Sequence, residues 1–133
     1  MTTPKFVVDT SALAAIALDE LGATRAQTYI EDGACVIHEV NVSELCFTLP
    51  RKRPTEFDPV FTRAWVKHLG LYVMSGFSDN LGYLAADIRL QNHALNLGDG
   101  VAVATAYLLN VPVLTAEKAF AKSSMFVKVE LIR

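Results

Sequence analysis

Short apolar runs recur along this chain, and the stretches between them carry helical spacing. Phe6-Val7-Val8, Ala34-Cys35-Val36-Ile37, Leu71-Tyr72-Val73-Met74 and Val111-Pro112-Val113-Leu114 have strand length and are rich in β-branched and aromatic residues. Strands separated by helices argue for an α/β fold, with a central parallel sheet of four to five strands and helices on both faces. Right-handed crossovers then carry the C-terminal ends of all the strands to one edge of that sheet. Any chemistry the chain performs is expected along that edge.

The elements expected from the pattern run in alternation. Lys5 to Val8 reads as a buried strand, and Ser11 to about Leu18 as a helix capped by Thr10 or Ser11. Thr24 to Glu31 reads as a second helix, ended by Gly33, and Ala34 to His38 as a second strand. A helix from about Val42 to Leu49 follows, after which Pro50 and Pro54 bracket the basic stretch Arg51-Lys52-Arg53. Asp58-Pro59 has the cap-then-proline form of a helix start, and Phe61, Ala64, Trp65 and His68 share one face of that helix. Leu71 to Met74 is the third strand. Ser78 caps a helix on which Leu81, Leu84, Ala85, Ile88 and Leu95 keep helical spacing. Gly98-Asp99 starts an alanine-rich helix ending at Asn110, Val111 to Leu114 is the fourth strand, and Ala116 to Lys122 is a short helix. Phe126 to Leu131 alternates polar and apolar residues, as a half-exposed edge strand would.

Residues 1–133 are expected to form a single domain, and 52% hydrophobic with 20% charged residues suits a well-packed core. No apolar run approaches the roughly 18 residues of a membrane span, and Met1-Thr2-Thr3-Pro4-Lys5 leads directly into a strand without a secretory core. A cytoplasmic protein with no membrane association is the expectation. Cys35 and Cys46 each lie in apolar surroundings, as small hydrophobes do. The net charge of −2 gives no global field for nucleic acid, so any positive charge that meets it must be local.

Four acidic residues stand out against this pattern. Asp9 directly follows Phe6-Val7-Val8, where an unpaired charge is costly, and Glu117 follows Val113-Leu114-Thr115-Ala116. Asp99 comes just after Gly98 at a helix start, where the helix dipole favours a carboxylate, and Glu44 lies early in another helix. A surface role is the ordinary fate of a lone carboxylate, but these four share one edge in the expected topology. Carboxylates gathered there repel one another unless a cation is present. Hard oxygen donors suit Mg²⁺ or Mn²⁺, and His38, His68 and His93 stand too far apart in the pattern for a zinc site. Such an ion would position a water and neutralise charge on a phosphodiester.

The residues that carry these acids bear a resemblance. Val7-Val8-Asp9-Thr10-Ser11-Ala12-Leu13 looks like the opening motif of PIN-domain nucleases, and Val42-Ser43-Glu44-Leu45 resembles their second acidic motif. Leu97-Gly98-Asp99-Gly100-Val101-Ala102 resembles the third motif, and Val113-Leu114-Thr115-Ala116-Glu117-Lys118-Ala119-Phe120 the fourth. The resemblance runs from about residue 6 to residue 131 and implies a three-layer α/β/α PIN-like fold. Single-domain chains of this kind resemble the VapC-type ribonuclease toxins of toxin–antitoxin pairs. That implies Mg²⁺- or Mn²⁺-dependent RNA cleavage, silencing by a cognate antitoxin protein, and a homodimer. Carried over by position, Asp9, Glu44 and Asp99 match the metal-binding acids and Glu117 the fourth catalytic one. Thr10, Ser11 and Thr115 would support them through their hydroxyls.

Two positions depart from the family pattern. Glu117 stands where aspartate is usual, and Gly100 stands where a larger residue commonly follows the third acid. The first keeps the charge but moves the oxygens. Arg51, Lys52 and Arg53 are the candidate RNA contacts, against the ordinary alternative of a solvated basic loop. A second function fits the same residues: a PIN-like module that binds RNA or protein without cleaving. A phosphotransfer enzyme using Asp9 as nucleophile fits less well, because haloacid-dehalogenase-type phosphatases need an aspartate two residues on, where this chain has Ser11.

Overall fold

The apolar runs assemble as one parallel sheet. The computed structural model describes residues 3–133; Met1 and Thr2, part of the segment expected to lead into the first strand, lie outside the described residues. Strands β1 (Phe6–Val8), β2 (Cys35–His38), β3 (Tyr72–Met74), β4 (Val113–Thr115) and β5 (Val129–Leu131) lie in the order β3-β2-β1-β4-β5. All four pairings are parallel, with Val7 beside Val36 on one side and Val113 on the other. β5 is an edge strand, as its alternation predicts. One further backbone bond, from Asp9 N–H to the Leu114 carbonyl at 3.1 Å, continues the β1–β4 ladder and brings Asp9 to the sheet's carboxyl edge.

The strand period of two sorts residues to the two faces. Val8, Ile37 and Leu114 point to one side, where they pack with helices α1 (Thr10–Ala17), α2 (Ala23–Glu31) and α3 (Glu39–Lys52). Val7, Val36 and Val113 point to the other, against α5 (Asp79–Gln91) and α6 (Leu97–Leu109). The result is an α/β/α sandwich. Helix α4 (Pro59–His68) packs on α3 from outside, and a short 3₁₀ helix, Lys118–Ser123, links β4 to β5. Helix α6 is buried nearly all round from Gly98 to Ala106, so small residues there let it approach both the sheet and α5. Gly100 belongs to this contact: a Cβ there would stand 2.9 Å from Arg89 Cγ and 3.2 Å from the Ala85 carbonyl. Close helix packing accounts for the small residue at that position.

Several boundaries differ from the sequence reading. Asp9 itself caps α1, accepting from Ala12 N–H, so Thr10 and Ser11 are already helical and their hydroxyls are free for other bonds. His38 caps α3 through Nδ1, three residues ahead of Asn41. That helix continues through Pro50, because a proline near the end removes one backbone bond without breaking the turns before it. Arg53 N–H closes the helix on the Leu49 carbonyl. The basic stretch is therefore the last turn of a helix, complementing its dipole, and not a proline-bounded loop. On α4 the core face is Thr62 and Val66, while Phe61, Ala64 and His68 are exposed. Thr62 can be buried because its hydroxyl bonds the Asp58 carbonyl at 2.7 Å within the same helix. Trp65 is half-buried edge-on against Phe57, a packing role. Leu95 is buried but lies beyond the end of α5. Both cysteines are free, and burial pushes the Cys35 thiol up to about 11.

Candidate active site

Asp9 is the most deeply placed of the acids. Only 1% of it is exposed, yet its carboxylate is surrounded by donors. Ser11 Oγ donates to it (2.8 Å to Oδ1, 2.9 Å to Oδ2), Thr115 Oγ1 donates to Oδ2 at 2.8 Å, and Ala12 N–H reaches Oδ1 at 3.0 Å. Each hydroxyl is itself oriented by a backbone donor: Ala116 N–H bonds Ser11 Oγ at 2.9 Å, and Glu117 N–H bonds Thr115 Oγ1 at 3.0 Å. The two hydroxyls also lie 3.1 Å from each other, so Asp9, Ser11 and Thr115 form one hydrogen-bonded cluster. Burial nevertheless dominates and raises the Asp9 carboxyl to about 7, against the pull of Thr115, Ala12 and Ser11 and with a small push from Asp99.

Glu44 sits one turn into α3, half-buried, where Thr10 Oγ1 (3.0 Å) and Asn41 Nδ2 (3.2 Å) both donate to Oε1. Its carboxylate fills the space over Gly98, where a Cβ would collide with it. A larger residue at position 98 would push the Glu44 carboxylate from this place. Asp99 stands in the first turn of α6 in a reciprocal capping arrangement: Asn96 Oδ1 accepts from Asp99 N–H at 2.8 Å, and Asp99 Oδ2 accepts from Asn96 N–H at 3.0 Å. Burial raises its carboxyl above the usual range, the Glu44 and Glu117 charges add to this, and Asn96 and Arg89 oppose it. Glu117 differs from the rest. It is exposed, and among the described residues its side chain makes no hydrogen bond.

Glu44, Asp99 and Glu117 open onto a cleft of about 450 Å³, together with Thr10 and Ser11, and Asp9 lies beneath it. The topology argument holds for all four acids. Residues that pattern alone did not single out also line it: Glu20, Thr48, Asn96 and Arg133, with Arg133 Nη1 lying 3.7 Å from Glu20 Oε1. Of the basic stretch, only Lys52 lines the cleft. Arg51 stacks over the Phe47 ring at 5.1 Å, and Arg53 faces Glu56 at 3.4 Å. A larger hollow of about 560 Å³ lies by the α6–β4 turn at the opposite edge, between Tyr107, Asn110 and Lys128, and no carboxylate lines it.

Among the described residues, no three His, Cys, Asp or Glu side chains stand close enough together to form a ready-made cage for an ion. The donor set still fits a hard divalent cation that keeps several waters, since the groups converging here are carboxylates and hydroxyls. Burial raises both the Asp9 and Asp99 carboxyls, with Asp99 adding to the rise at Asp9 and Glu44 and Glu117 to that at Asp99, so a cation here would relieve like-charge repulsion. Among the described residues Asn41 Oδ1 is a buried acceptor without a partner.

Residues 6–124 match the family model of the PIN domain, and the chain belongs to that family. Among solved structures it is similar to VapC20 of Mycobacterium tuberculosis, a sarcin–ricin loop cleaving toxin, with a TM-score of 0.73 at 16% identity over 95% of this chain and 99% of that one. It is also similar to the DNA-bound VapBC of Salmonella typhimurium, with a TM-score of 0.69 at 16% identity over 98% and 99% of the two chains. A toxin–antitoxin complex from Klebsiella pneumoniae gives a TM-score of 0.67 at 19% identity over 88% and 91%. At these identities the likeness is one of fold. No curated protein matches the chain.

Proposed function

We propose that this chain is a Mg²⁺- or Mn²⁺-dependent endoribonuclease, the toxin of a toxin–antitoxin pair. The observation that carries the reading is the meeting of Asp9, Glu44, Asp99 and Glu117 at one edge of a PIN fold, in and beneath a single cleft. Asp9, Glu44 and Asp99 would hold the ion, which when bound supplies an activated water and neutralises charge on the scissile phosphodiester. Ser11 and Thr115 fix the Asp9 oxygens and favour their ionised form, against the larger upward push of burial. Glu117, free of internal bonds among the described residues, would contribute from the rim of the cleft through a water. Lys52 and Arg133 supply the local positive charge that the net charge of −2 does not, and they would hold RNA phosphates at the cleft.

The partners follow from the same reading: an RNA substrate, a cognate antitoxin protein that covers the cleft, and a second copy of the chain in a homodimer. The similar structures from Klebsiella and Salmonella, a toxin–antitoxin complex and a VapBC, support the antitoxin. Among the described residues no helix is long and apolar enough to cross a membrane. A second reading, a PIN module that binds without cleaving, draws on the exposed, unbonded Glu117 and on the spacing of the acids.

Expression of the chain alone should arrest growth and degrade RNA in a Mg²⁺-dependent, chelator-sensitive way, and co-expression of the small protein encoded beside it should relieve the arrest. The Asp9→Asn variant, folded by circular dichroism, should do neither. RNA decay undiminished by Asp9→Asn would reject the nuclease site; Mn²⁺ binding that ignores both Asp9 and Asp99 would favour the binding module.

A further inference from the structure

Glu44 is the one proposed ligand borne on the middle of a helix side, and a glutamate there has three torsions to settle before it can serve an ion. Asn41, one turn before it on α3, is 1% exposed and spends its amide on two bonds. Nδ2 donates to Glu44 Oε1 at 3.2 Å and to the Gly98 carbonyl at 2.9 Å, so one side chain ties the acid on α3 to the first turn of α6, next to Asp99. Thr10 Oγ1 approaches from α1, within 3.0 Å of both the Asn41 carbonyl and Glu44 Oε1. Both side-chain donors converge on Oε1, and Oε2 receives neither. Gly98 supplies the other half of the arrangement, because any side chain there would occupy the place of the carboxylate.

We propose that Asn41 is a positioning residue, and that the Asn41–Gly98 pair aims Glu44 Oε2 into the cleft as a ligand for a divalent cation. The proposal rests on the reading of the cleft as a cation site. Among the described residues the buried Asn41 Oδ1 has no partner, so the amide commits its donors to Glu44 and Gly98 and keeps its acceptor to spare. Asn41 touches no substrate. It acts through Glu44.

A brace and a positioning residue part company on metal dependence. A brace lowers thermal stability and leaves the cation requirement alone. The test is a Mn²⁺ titration read as the rise in Tm, alongside RNA cleavage, for the wild-type chain, Asn41→Leu, Gly98→Ala and Asp9→Asn. Asn41→Leu keeps the branching at Cγ and the number of side-chain heavy atoms and removes both polar atoms. Gly98→Ala leaves Asn41 intact and displaces the carboxylate, so it carries the test should Asn41→Leu not fold. The expected result is a half-saturating Mn²⁺ concentration, read from the rise in Tm, at least about tenfold higher in both variants, with cleavage needing a correspondingly higher Mn²⁺ concentration. The Mn²⁺ response should vanish in Asp9→Asn. Wild-type-like titrations of Asn41→Leu and Gly98→Ala, with Asp9→Asn still unresponsive, overturn the positioning role and leave the cation site standing. A wild-type chain whose Tm ignores Mn²⁺ overturns the cation site, and the positioning role with it.

Discussion

Asp9 and Glu117 follow neighbouring strands, one residue after β1 and two residues after β4, yet they live in opposite environments. Asp9 is buried among four donor contacts, two of them from Ser11, while Glu117 is exposed and bonds nothing through its side chain. The two are linked all the same. Glu117 N–H orients the Thr115 hydroxyl that donates to Asp9, so the β4 loop gives its backbone and its threonine to Asp9 and leaves its acid in solvent. The contrast shows how one sheet edge can hold a fixed carboxylate and a free one a few residues apart. A fixed group can place an ion; a free one can exchange protons with water.

The comparison breaks most sharply at Asp9. Asp9→Asn should cut RNA cleavage by about a thousandfold or more while far-ultraviolet circular dichroism stays native. A loss of less than tenfold would mean that the buried acid is structural only.

The pH dependence of stability comes next. The folded carboxyl of Asp9 sits at about 7 against 3.8 for the ordinary side chain, so the folded protein holds a proton that the unfolded chain has released. Stability contributed by that proton is complete below about pH 4 and is lost as pH rises through about 7, by up to about 4 kcal/mol at 1.36 kcal/mol per pH unit. Urea denaturation without divalent ions should follow that fall, and Asp9→Asn should flatten it. Saturating Mn²⁺ should also flatten it, because a cation favours the ionised carboxylate. Identical pH profiles for wild type and Asp9→Asn would show that burial does not govern this group.

Removing one hydroxyl should cost less. Thr115→Val leaves the shape and deletes a donor to Asp9, so the predicted penalty is about 10- to 100-fold in Mn²⁺ affinity and about 1–3 kcal/mol in stability. An unchanged Mn²⁺ midpoint would remove Thr115 from the site. The smallest effect belongs to Glu117→Gln, with a fall in cleavage of less than about tenfold and no measurable change in Tm, because no folded contact is lost. A loss as large as that of Asp9→Asn would move Glu117 from the rim to the centre of the chemistry.

Much of this was legible from residue order. The alternation of apolar runs predicts the parallel sheet, and strand-end acids then fall on its carboxyl edge whatever the loops do. The resemblance to PIN nucleases, carried by four short motifs, agrees with the family match over residues 6–124. What pattern could not reach depends on contacts between distant elements. Glu20 and Arg133 meet at the cleft from the end of α1 and the end of the chain. Lys52 separates from Arg51 and Arg53 only because α3 runs on through Pro50 and turns each of the three to a different side. Asn41 gives no pattern signal, because one of its two bonds crosses 57 residues to Gly98. Which face of α4 is buried also lay beyond the pattern, because a threonine bonded to its own helix behaves as an apolar residue, while Phe61 stays in solvent.

The measurement closest to the central claim is a crystal structure of the chain soaked in Mn²⁺, with anomalous scattering recorded at the manganese edge. The account predicts one or more peaks in the cleft within bonding distance of Asp9, Glu44 and Asp99 carboxylate oxygens, lost in Asp9→Asn crystals grown under the same conditions. Saturating Mn²⁺ that leaves these carboxylates without a peak, or that binds only at sites away from Asp9, would contradict it.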